Sequence, residues 1–312
     1  MRIGGVMQYV SVRGEDENAP LVVLLHGGPA LPTRGMDEKF MRLAEKRFVC
    51  ACWDQRGSGR SEGAEEDGQT LLRDLDEVTD YALKITGKRK AWIAGHCWGS
   101  VIGLRYAAGH PEKTAGYVGV CQFVSGRRSY AEIKKTALEA AAIKGNFDDA
   151  AEISRRYSGL LKAKNVRETD LSDWTRLHAL YEKYRGYAKK KSNASIVVRA
   201  LLCPDFSAGD FCYLLSWADQ KNSMKEHEKL MNECIFGVDF LAEPPVLSVP
   251  CAFIEAGADA VTDSGTALRL MNAIGAPRKK VYLVKNAGHN VIFDNSEGLI
   301  SALESEIIGK EN

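Results

Sequence analysis

The sequence predicts an α/β fold, in which helices flank a mostly parallel sheet and a helical segment is inserted late in the chain. Short apolar runs alternate with amphipathic ones, which is typical of this fold class. One apolar run leads through a glycine-flanked cysteine into a helical stretch. The alternation then stops between about residues 122 and 247. With 312 residues, 45% of them hydrophobic, the chain can build a substantial core.

The strands of the sheet are predicted from the apolar runs. A weak alternation over residues 5–12 predicts an edge hairpin strand. The other predicted strands cover residues 21–25, 48–53, 91–94, 116–121, 252–255 and 281–284.

Helices are predicted between these strands. After Thr70 apolar residues recur on one helical face, and Gly87 is expected to end that helix. A last helix from about residue 297 to 308 is expected to close the fold.

Residues 125–245 are predicted to form a helical cap, and residues 1–124 and 246–312 to form the core. The cap interval is rich in Ala, Lys, Glu and Tyr, and it carries few strand signals. Helices are expected over residues 130–144, 148–158, 172–188 and 224–233. Its aromatic residues either line a pocket or, as their helical spacing favours, pack inside the cap. They are Tyr181, Tyr184, Tyr187, Tyr213 and Trp217.

Composition excludes several classes of partner. The net charge is +1 and no basic block is present, which argues against a nucleic acid partner. The N-terminal residues lack a secretory signal, and no apolar run is long enough to span a membrane. We therefore expect a cytoplasmic protein without membrane association. The sequence carries no signal for the oligomeric state.

The eight cysteines predict neither a zinc site nor a disulfide scaffold, because no C-x-x-C pair occurs among them. No metal and no cofactor are expected. Cys50, Cys52, Cys121 and Cys251 lie in apolar runs and are expected to be small buried side chains. A reducing compartment fits this usage and would preserve a catalytic thiol.

Cys97 is the candidate nucleophile. Residues 95–99 have the spacing Gly-x-nucleophile-x-Gly, which is typical of a sharp turn between a strand and a helix. The flanking glycines allow that turn without a Cβ clash. A thiol at the N-terminus of a helix is favoured as thiolate. Ser100, the other nucleophilic side chain nearby, lies about one turn further along the helix and is expected to support packing.

His289 is the candidate base, because it follows the last predicted strand in a loop that can reach back to the turn. Asp259 follows the strand predicted at residues 252–255, and it would accept the other imidazole N–H and fix the tautomer. Asp263 and Glu255 are local alternatives for this role. The order of nucleophile, acid and histidine along the chain suits a strand-turn-helix nucleophile.

Residues 26–29, His-Gly-Gly-Pro, predict a site for the oxyanion. They directly follow the strand at 21–25, and glycines there allow a backbone N–H to face the substrate. We expect the N–H groups of Gly28 and Trp98 to form this oxyanion hole, with Gly27 as the alternative to Gly28.

Together these motifs resemble the α/β-hydrolase superfamily, and specifically its proline iminopeptidase-like branch. The third motif that carries the resemblance is the segment 53–61, Trp-Asp-Gln-Arg-Gly-Ser-Gly-Arg-Ser. The resemblance implies an eight-stranded type of sheet and a helical cap. It also implies that Asp54 and Arg56 shape a loop beside the oxyanion site and have no catalytic role.

The sequence departs from this branch at three places. Cys97 stands where the branch has serine, and Ala30 stands where it has glycine. Iminopeptidases proper also have cap glutamates that bind the free amino terminus of the substrate. Glu226, Glu228 and Glu233 are present in the cap, where solvated helix faces are the simpler interpretation.

The sequence thus predicts hydrolysis of a small acyl ester, lactone or amide through a Cys97-His289-Asp259 triad and a thioester acyl-enzyme. The substrate is expected to be a small molecule or a short peptide, and aminopeptidase action is the specific version that the resemblance implies. One alternative is an acyltransferase or cyclase, in which an amine or alcohol receives the acyl group. Another is a homologue that binds a ligand without hydrolysing it.

Overall fold

A computed structural model describes residues 1–33, 37–63, 67–184, 198, 203, 206–218 and 227–309. The strands are β1 (Arg2–Ile3), β2 (Val6–Met7), β3 (Val10–Arg13), β4 (Leu21–Leu25), β5 (Val49–Trp53), β6 (Ala91–Cys97), β7 (Thr114–Gln122), β8 (Cys251–Ala256) and β9 (Lys279–Val284). The helices of the core are α1 (Glu38–Ala44), α2 (Gly68–Thr86), α3 (Trp98–Gly109), α9 (Ser264–Ala273), α10 (Val291–Asp294) and α11 (Ser296–Ile307). Between β7 and β8 lie α4 (Gly126–Ile143), α5 (Phe147–Lys162), α6 (Leu171–Tyr184), α7 (Ala208–Ala218) and α8 (Glu228–Asn232).

The main sheet has the strand order β3-β5-β4-β6-β7-β8-β9. Strand β3 pairs antiparallel with β5, and the other neighbours are parallel. In the described part of the chain the sheet has seven strands rather than the expected eight. The segment predicted as one strand at residues 5–12 is divided, because β2 pairs with β1 in a separate two-stranded sheet and only β3 joins the main one.

Each predicted core strand is present, and most are longer than their apolar runs. The strand predicted at 91–94 continues as β6 to Cys97, so the candidate nucleophile ends a strand. Helix α2 begins at the cap Asp67, whose carboxylate accepts a hydrogen bond from the Thr70 N–H at 2.8 Å. It ends at Gly87, as predicted, with a left-handed φ of 66° that glycine adopts without strain.

Four of the described helices escaped the sequence analysis: α1, α7, α9 and α10. Helices α1 and α10 have only seven and four residues, too few for a periodic pattern to emerge. Helix α7 is apolar around most of its circumference, so it lacks the one-sided stripe that marks an amphipathic helix. None of the helices in the described ranges combines the length and apolarity that crossing a bilayer requires.

Helices cover both faces of the sheet. One buried cluster joins the sheet to residues of α2, α3 and α9, such as Leu75, Ile102 and Leu270. The opposite face packs against α1 and α11, through residues such as Phe40 and Leu303. The burial of these apolar faces drives the fold, at roughly 25 cal/mol per Å² removed from water.

The segment inserted between β7 and β8 has an apolar centre of its own where α4, α5 and α6 meet. Tyr157 and Tyr184 are buried in it. Tyr181 instead packs with Ile133 against Ala260, which lies in the loop after β8. Tyr187, the side chain of Trp217, and the predicted helical residues 185–188 and 224–226 lie outside the described residues.

Polar contacts attach the inserted segment to the sheet. Arg60 forms a two-point ion pair with Asp210 of α7, with distances of 2.9 and 2.6 Å. The Tyr213 hydroxyl donates a hydrogen bond to the Ala30 carbonyl oxygen at 2.7 Å. The insertion therefore rests directly on the loop that follows β4.

Candidate active site

The strand β6 delivers Cys97 to a sharp turn at the carboxyl edge of the sheet. Its φ of 51° and ψ of −116° lie where side chains are rarely found, so the backbone is strained at this residue. A Cβ on Gly95 would lie 2.2 Å from the Gly99 carbonyl oxygen, and one on Gly99 would lie 2.4 Å from the Leu25 carbonyl oxygen. Both glycines are therefore required by close backbone contacts, as the motif predicted.

His289 and Asp259 come together from the loops that follow β9 and β8. The imidazole Nδ1 lies 2.8 Å from Asp259 Oδ2. The Val261 and Thr262 N–H groups donate to Asp259 Oδ1 at 2.8 and 3.1 Å, and the Thr262 hydroxyl donates to Oδ2 at 2.5 Å. Four hydrogen bonds thus fix the buried carboxylate, which in turn fixes the tautomer of the imidazole.

The electrostatics of this pair favour a charged imidazole. Burial opposes ionisation of Asp259, but the His289 charge and the hydrogen bonds from Thr262 outweigh it and hold the pKa of the carboxyl well below its usual range. Burial likewise lowers the pKa of His289, but the Asp259 charge, the Cys97 charge and hydrogen bonds to both residues raise it well above 6.5. The charges of Asp259 and Cys97 therefore both stabilise an imidazolium at His289.

The two alternative acids have other partners. Asp263 caps helix α9, where its carboxylate accepts a hydrogen bond from the Thr266 N–H at 2.8 Å. Glu255 is completely buried, and its Oε1 accepts a hydrogen bond from the Gln122 N–H at 3.1 Å. Burial raises the pKa of Glu255 well above its usual value. Of the three carboxyl groups considered from the sequence, Asp259 is the one bonded to the imidazole.

Ser100 has a supporting position. Its buried hydroxyl donates to the Cys97 carbonyl oxygen at 2.5 Å and accepts from the Phe123 N–H at 2.9 Å. This side chain links the turn to the end of β7, and it does not point to the imidazole.

The glycine loop after β4 passes directly beside the turn. A Cβ on Gly27 would lie 3.3 Å from the Cys97 Cβ, so substrate bound at the thiol would also meet this loop. Gly28 has a φ of 122°, which side chains rarely adopt. Trp98 is the first residue of α3, so its backbone N–H belongs to the first turn, whose donors lack a partner within the helix. Ala30, at the position where the resembling branch has glycine, adopts a φ of 60°.

The sequence analysis gave no role to His96, the residue that precedes Cys97. The ring Nε2 lies 2.9 Å from the His289 carbonyl oxygen, and the two ring centroids are 5.2 Å apart. Burial and the His289 charge lower the pKa of His96 to about 4, so the neutral ring donates this hydrogen bond. A histidine inside the turn thereby holds the loop that carries the candidate base.

Two histidines and a cysteine form the one cluster of potential metal ligands among the residues that the structure describes. The ligand atoms of His96, Cys121 and His289 lie within 4.8 Å of one another. Asp259 and the His289 carbonyl oxygen already occupy one nitrogen of each imidazole. We therefore interpret the cluster as part of the thiol site.

The segment 53–61 has a structural role in this region. Arg56 forms a buried two-point ion pair with Asp74, with distances of 2.7 and 2.8 Å. Asp54 accepts a hydrogen bond from the Arg60 N–H at 3.0 Å. The Gln55 N–H donates to Nε2 of His26 at 3.1 Å, which positions the start of the glycine loop. These contacts agree with the structural role that the resemblance implied for Asp54 and Arg56.

Two of the three cap glutamates are already engaged. Glu233 pairs with Arg105 and accepts a hydrogen bond from the Gly68 N–H at 2.9 Å. Glu228 forms an ion pair with Arg167 at 2.6 Å. Glu226 lies outside the described residues.

A cavity of about 380 Å³ lies behind His26 and His96, between the sheet and helices α1 and α11. Apolar side chains such as Leu24, Ala94 and Leu303 line it. Among the described residues, neither Cys97 nor His289 lines this cavity.

Comparisons with known proteins identify the fold. The family model of the alpha/beta hydrolase fold matches residues 20–296. The probable aminopeptidase YbaC of Bacillus subtilis is 24% identical over 302 residues, which cover 93% of this chain and 89% of that protein. The proline iminopeptidase of Thermoplasma volcanium is 31% identical over 123 residues, 38% of this chain and 40% of that protein. The crystal structure of the proline iminopeptidase of Mycobacterium smegmatis has a TM-score of 0.69 at 15% identity, over 98% of this chain and 96% of that one.

Proposed function

The chain belongs to the α/β-hydrolase fold family, and we propose that it is a hydrolase with Cys97 as nucleophile, His289 as base and Asp259 as the acid that orients the base. One observation carries this proposal. The thiol ends β6 at a strained turn, its charge raises the pKa of the His289 imidazole, and Asp259 holds that imidazole at 2.8 Å. Nucleophile, base and orienting group are the parts that covalent acyl transfer requires.

In this mechanism the Cys97 thiolate attacks the acyl carbon while the His289 imidazolium remains beside it. The oxyanion that forms accepts hydrogen bonds from the N–H groups of Gly28, or alternatively Gly27, and Trp98. His289 then protonates the leaving group, and a thioester remains on the sulfur. Water, deprotonated by His289, attacks the thioester and releases the thiol. The inserted segment acts as the cap over this chemistry.

The thiol favours activated acyl groups. A thiolate leaves a tetrahedral intermediate more readily than an amine does, so amide cleavage depends on prompt protonation of the nitrogen by His289. Esters, thioesters and lactones depend less on that proton. The charged partners of Glu228 and Glu233 also leave these two carboxylates unsuited to bind a free amino terminus. We therefore propose a small ester or lactone as the substrate. Aminopeptidase action, which the name of YbaC suggests, is the alternative activity.

The test is intact-protein mass spectrometry during turnover of a panel of p-nitrophenyl acyl esters and of proline p-nitroanilide. We expect an acyl adduct that appears on the wild type, maps to Cys97 and decays as product is released. A thioester is also cleaved by hydroxylamine, which identifies the bond. The preferred leaving group then separates an esterase from an aminopeptidase.

Variants complete this test. Cys97→Ala should abolish the adduct and the turnover, whereas Cys212→Ala removes a solvent-exposed thiol of α7 and should change neither. Normal turnover by Cys97→Ala, or an adduct that maps to Cys212, would refute the proposed mechanism. A stable adduct without turnover would support a binding protein instead, and partition of the acyl group to added amines would support a transferase.

A further inference from the structure

A second thiol lies beside the proposed nucleophile. We infer that Cys121 is the resolving partner of Cys97, so that a peroxide converts the two thiols into an intramolecular disulfide that blocks the active site reversibly. The inference depends on the reactivity of the Cys97 thiol and is independent of which acyl substrate the protein uses.

The backbone brings the two residues to disulfide distance. In the pairing of β6 with β7, His96 lies opposite Val120 and Cys97 lies opposite Gln122. One residue of β7 is therefore left without a partner, which makes a β-bulge. Cys121 is this extra residue, and it adopts a φ of 48°. With neighbouring strands about 4.8 Å apart, its Cα lies roughly 5 to 6 Å from that of Cys97. Disulfides span Cα separations of about 4.4 to 6.8 Å.

Both thiols act on the same imidazole. The sulfur of Cys121 lies within 4.8 Å of a ring nitrogen of His289, and the Cys97 charge raises the pKa of this ring. Burial, the charges of the nearby carboxylates and a hydrogen bond to Asp259 raise the pKa of the Cys121 thiol well above its ordinary value. Cys121 is therefore protonated in the resting site and does not compete with Cys97 for substrate.

The chemistry balances in two steps. The Cys97 thiolate attacks a peroxide, the O–O bond breaks, and the imidazolium of His289 donates the proton that converts the leaving oxygen to water or an alcohol. Sulfur is oxidised by two electrons to a sulfenic acid, Cys97–SOH. The Cys121 sulfur then attacks Cys97, the S–O bond breaks, and the thiol proton leaves with the hydroxide as water. His289, now neutral, relays this proton.

Cys234 is the alternative partner. It lies in the π-helical turn Glu233–Gly237 of the inserted segment, close enough to Cys97 for their charges to interact. However, no strand pairing fixes its distance from Cys97, whereas Cys121 is held by the sheet. This difference favours Cys121 and makes Cys234 the matched control.

The experiment treats the reduced full-length protein with hydrogen peroxide, blocks free thiols with iodoacetamide and maps the tryptic peptides. Cys97, in residues 91–105, and Cys121, in residues 114–127, fall in different peptides with one cysteine each. We expect these two peptides to be crosslinked, with the loss of two hydrogen atoms. Dithiothreitol should restore both the free peptides and the iodoacetamide reactivity of Cys97.

Two variants and two readouts keep the test decisive. Cys121→Gly removes the thiol at a φ that glycine accepts, and its Cys97 should then proceed to sulfinic acid, which dithiothreitol does not reverse. Cys234→Ala should crosslink like the wild type. A link from Cys97 to Cys234, or no crosslink in a wild type that forms sulfinic acid, would overturn the inference. Because the readout is the crosslink, its failure is distinct from a failure to find hydrolase activity.

Discussion

Replacement of Asp259 by Asn is the perturbation that most directly tests the proposed triad. Asn has the same shape, but its amide carries no charge and has an N–H₂ group where Asp259 Oδ2 now faces the imidazole at 2.8 Å. The N–H groups of Val261 and Thr262 both donate to Oδ1 and will hold the amide oxygen there, which directs the N–H₂ group to His289. The imidazole must then accept at Nδ1 and carry its proton at Nε2, so it cannot accept the thiol proton.

The size of the effect follows from the lost interactions. A hydrogen bond to a charged group contributes about 1.5 to 3 kcal/mol, which corresponds to a loss of about 10- to 150-fold in rate. The wrong tautomer adds to this loss, and in a serine triad the same change costs about 10⁴-fold. We therefore expect kcat/KM to fall by about 10²- to 10⁴-fold.

The assay is the initial rate of hydrolysis of the preferred p-nitrophenyl ester, with folding checked by circular dichroism. Asp263→Asn is the matched control, because Asp263 caps α9 and Asn is also a good N-cap residue. Its kcat/KM should stay within about twofold of the wild type, since its N-cap is preserved. Near-normal activity of Asp259→Asn, or a large loss in Asp263→Asn, would refute the assignment of the acid.

Three further predictions concern the turn, the supporting histidine and pH. Gly95→Ala, in strand β6, should lower stability by about 3 kcal/mol because its Cβ would clash with the backbone of Gly99. Gly109→Ala, at the end of α3 with no atom near its Cβ, should be neutral or stabilising in urea unfolding. His96→Ala should lower kcat by up to about tenfold with little change in KM, because it removes the hydrogen bond to the His289 carbonyl oxygen. His96→Gln, whose side-chain amide can donate to that carbonyl, should recover part of the lost kcat. Because the pKa of Asp259 is depressed, its ionisation stabilises the fold above about pH 4, and that stability is lost as the pH falls further. An unfolded Asp takes up its proton between roughly pH 5 and pH 3. Over this range, urea unfolding should therefore show a smaller decrease in the free energy of unfolding for Asp259→Asn than for the wild type.

The order of helices and strands could be predicted because it depends on local patterns. The apolar run at residues 21–25 coincides with β4, and Gly87 ends α2 as its place in the sequence indicated. The same patterns failed where no periodic signal exists, in the short α1 and in the largely apolar α7. Whether residues 5–12 form one strand or two depends on their partners, β1 and β5, which lie elsewhere in the chain.

The sequence by itself determined which residues are placed at the turn, since the spacing of Gly95, Cys97 and Gly99 is a local requirement of backbone sterics. It also named His289 and Asp259 from their positions after strands. Only the tertiary structure decided that Asp259, and not Asp263 or Glu255, is bonded to the imidazole. The tertiary structure alone placed His96 and Cys121 beside His289. The reason is that these contacts join different strands and loops of the sheet, and the distances between them are set by the packing of the whole fold and not by spacing along the chain.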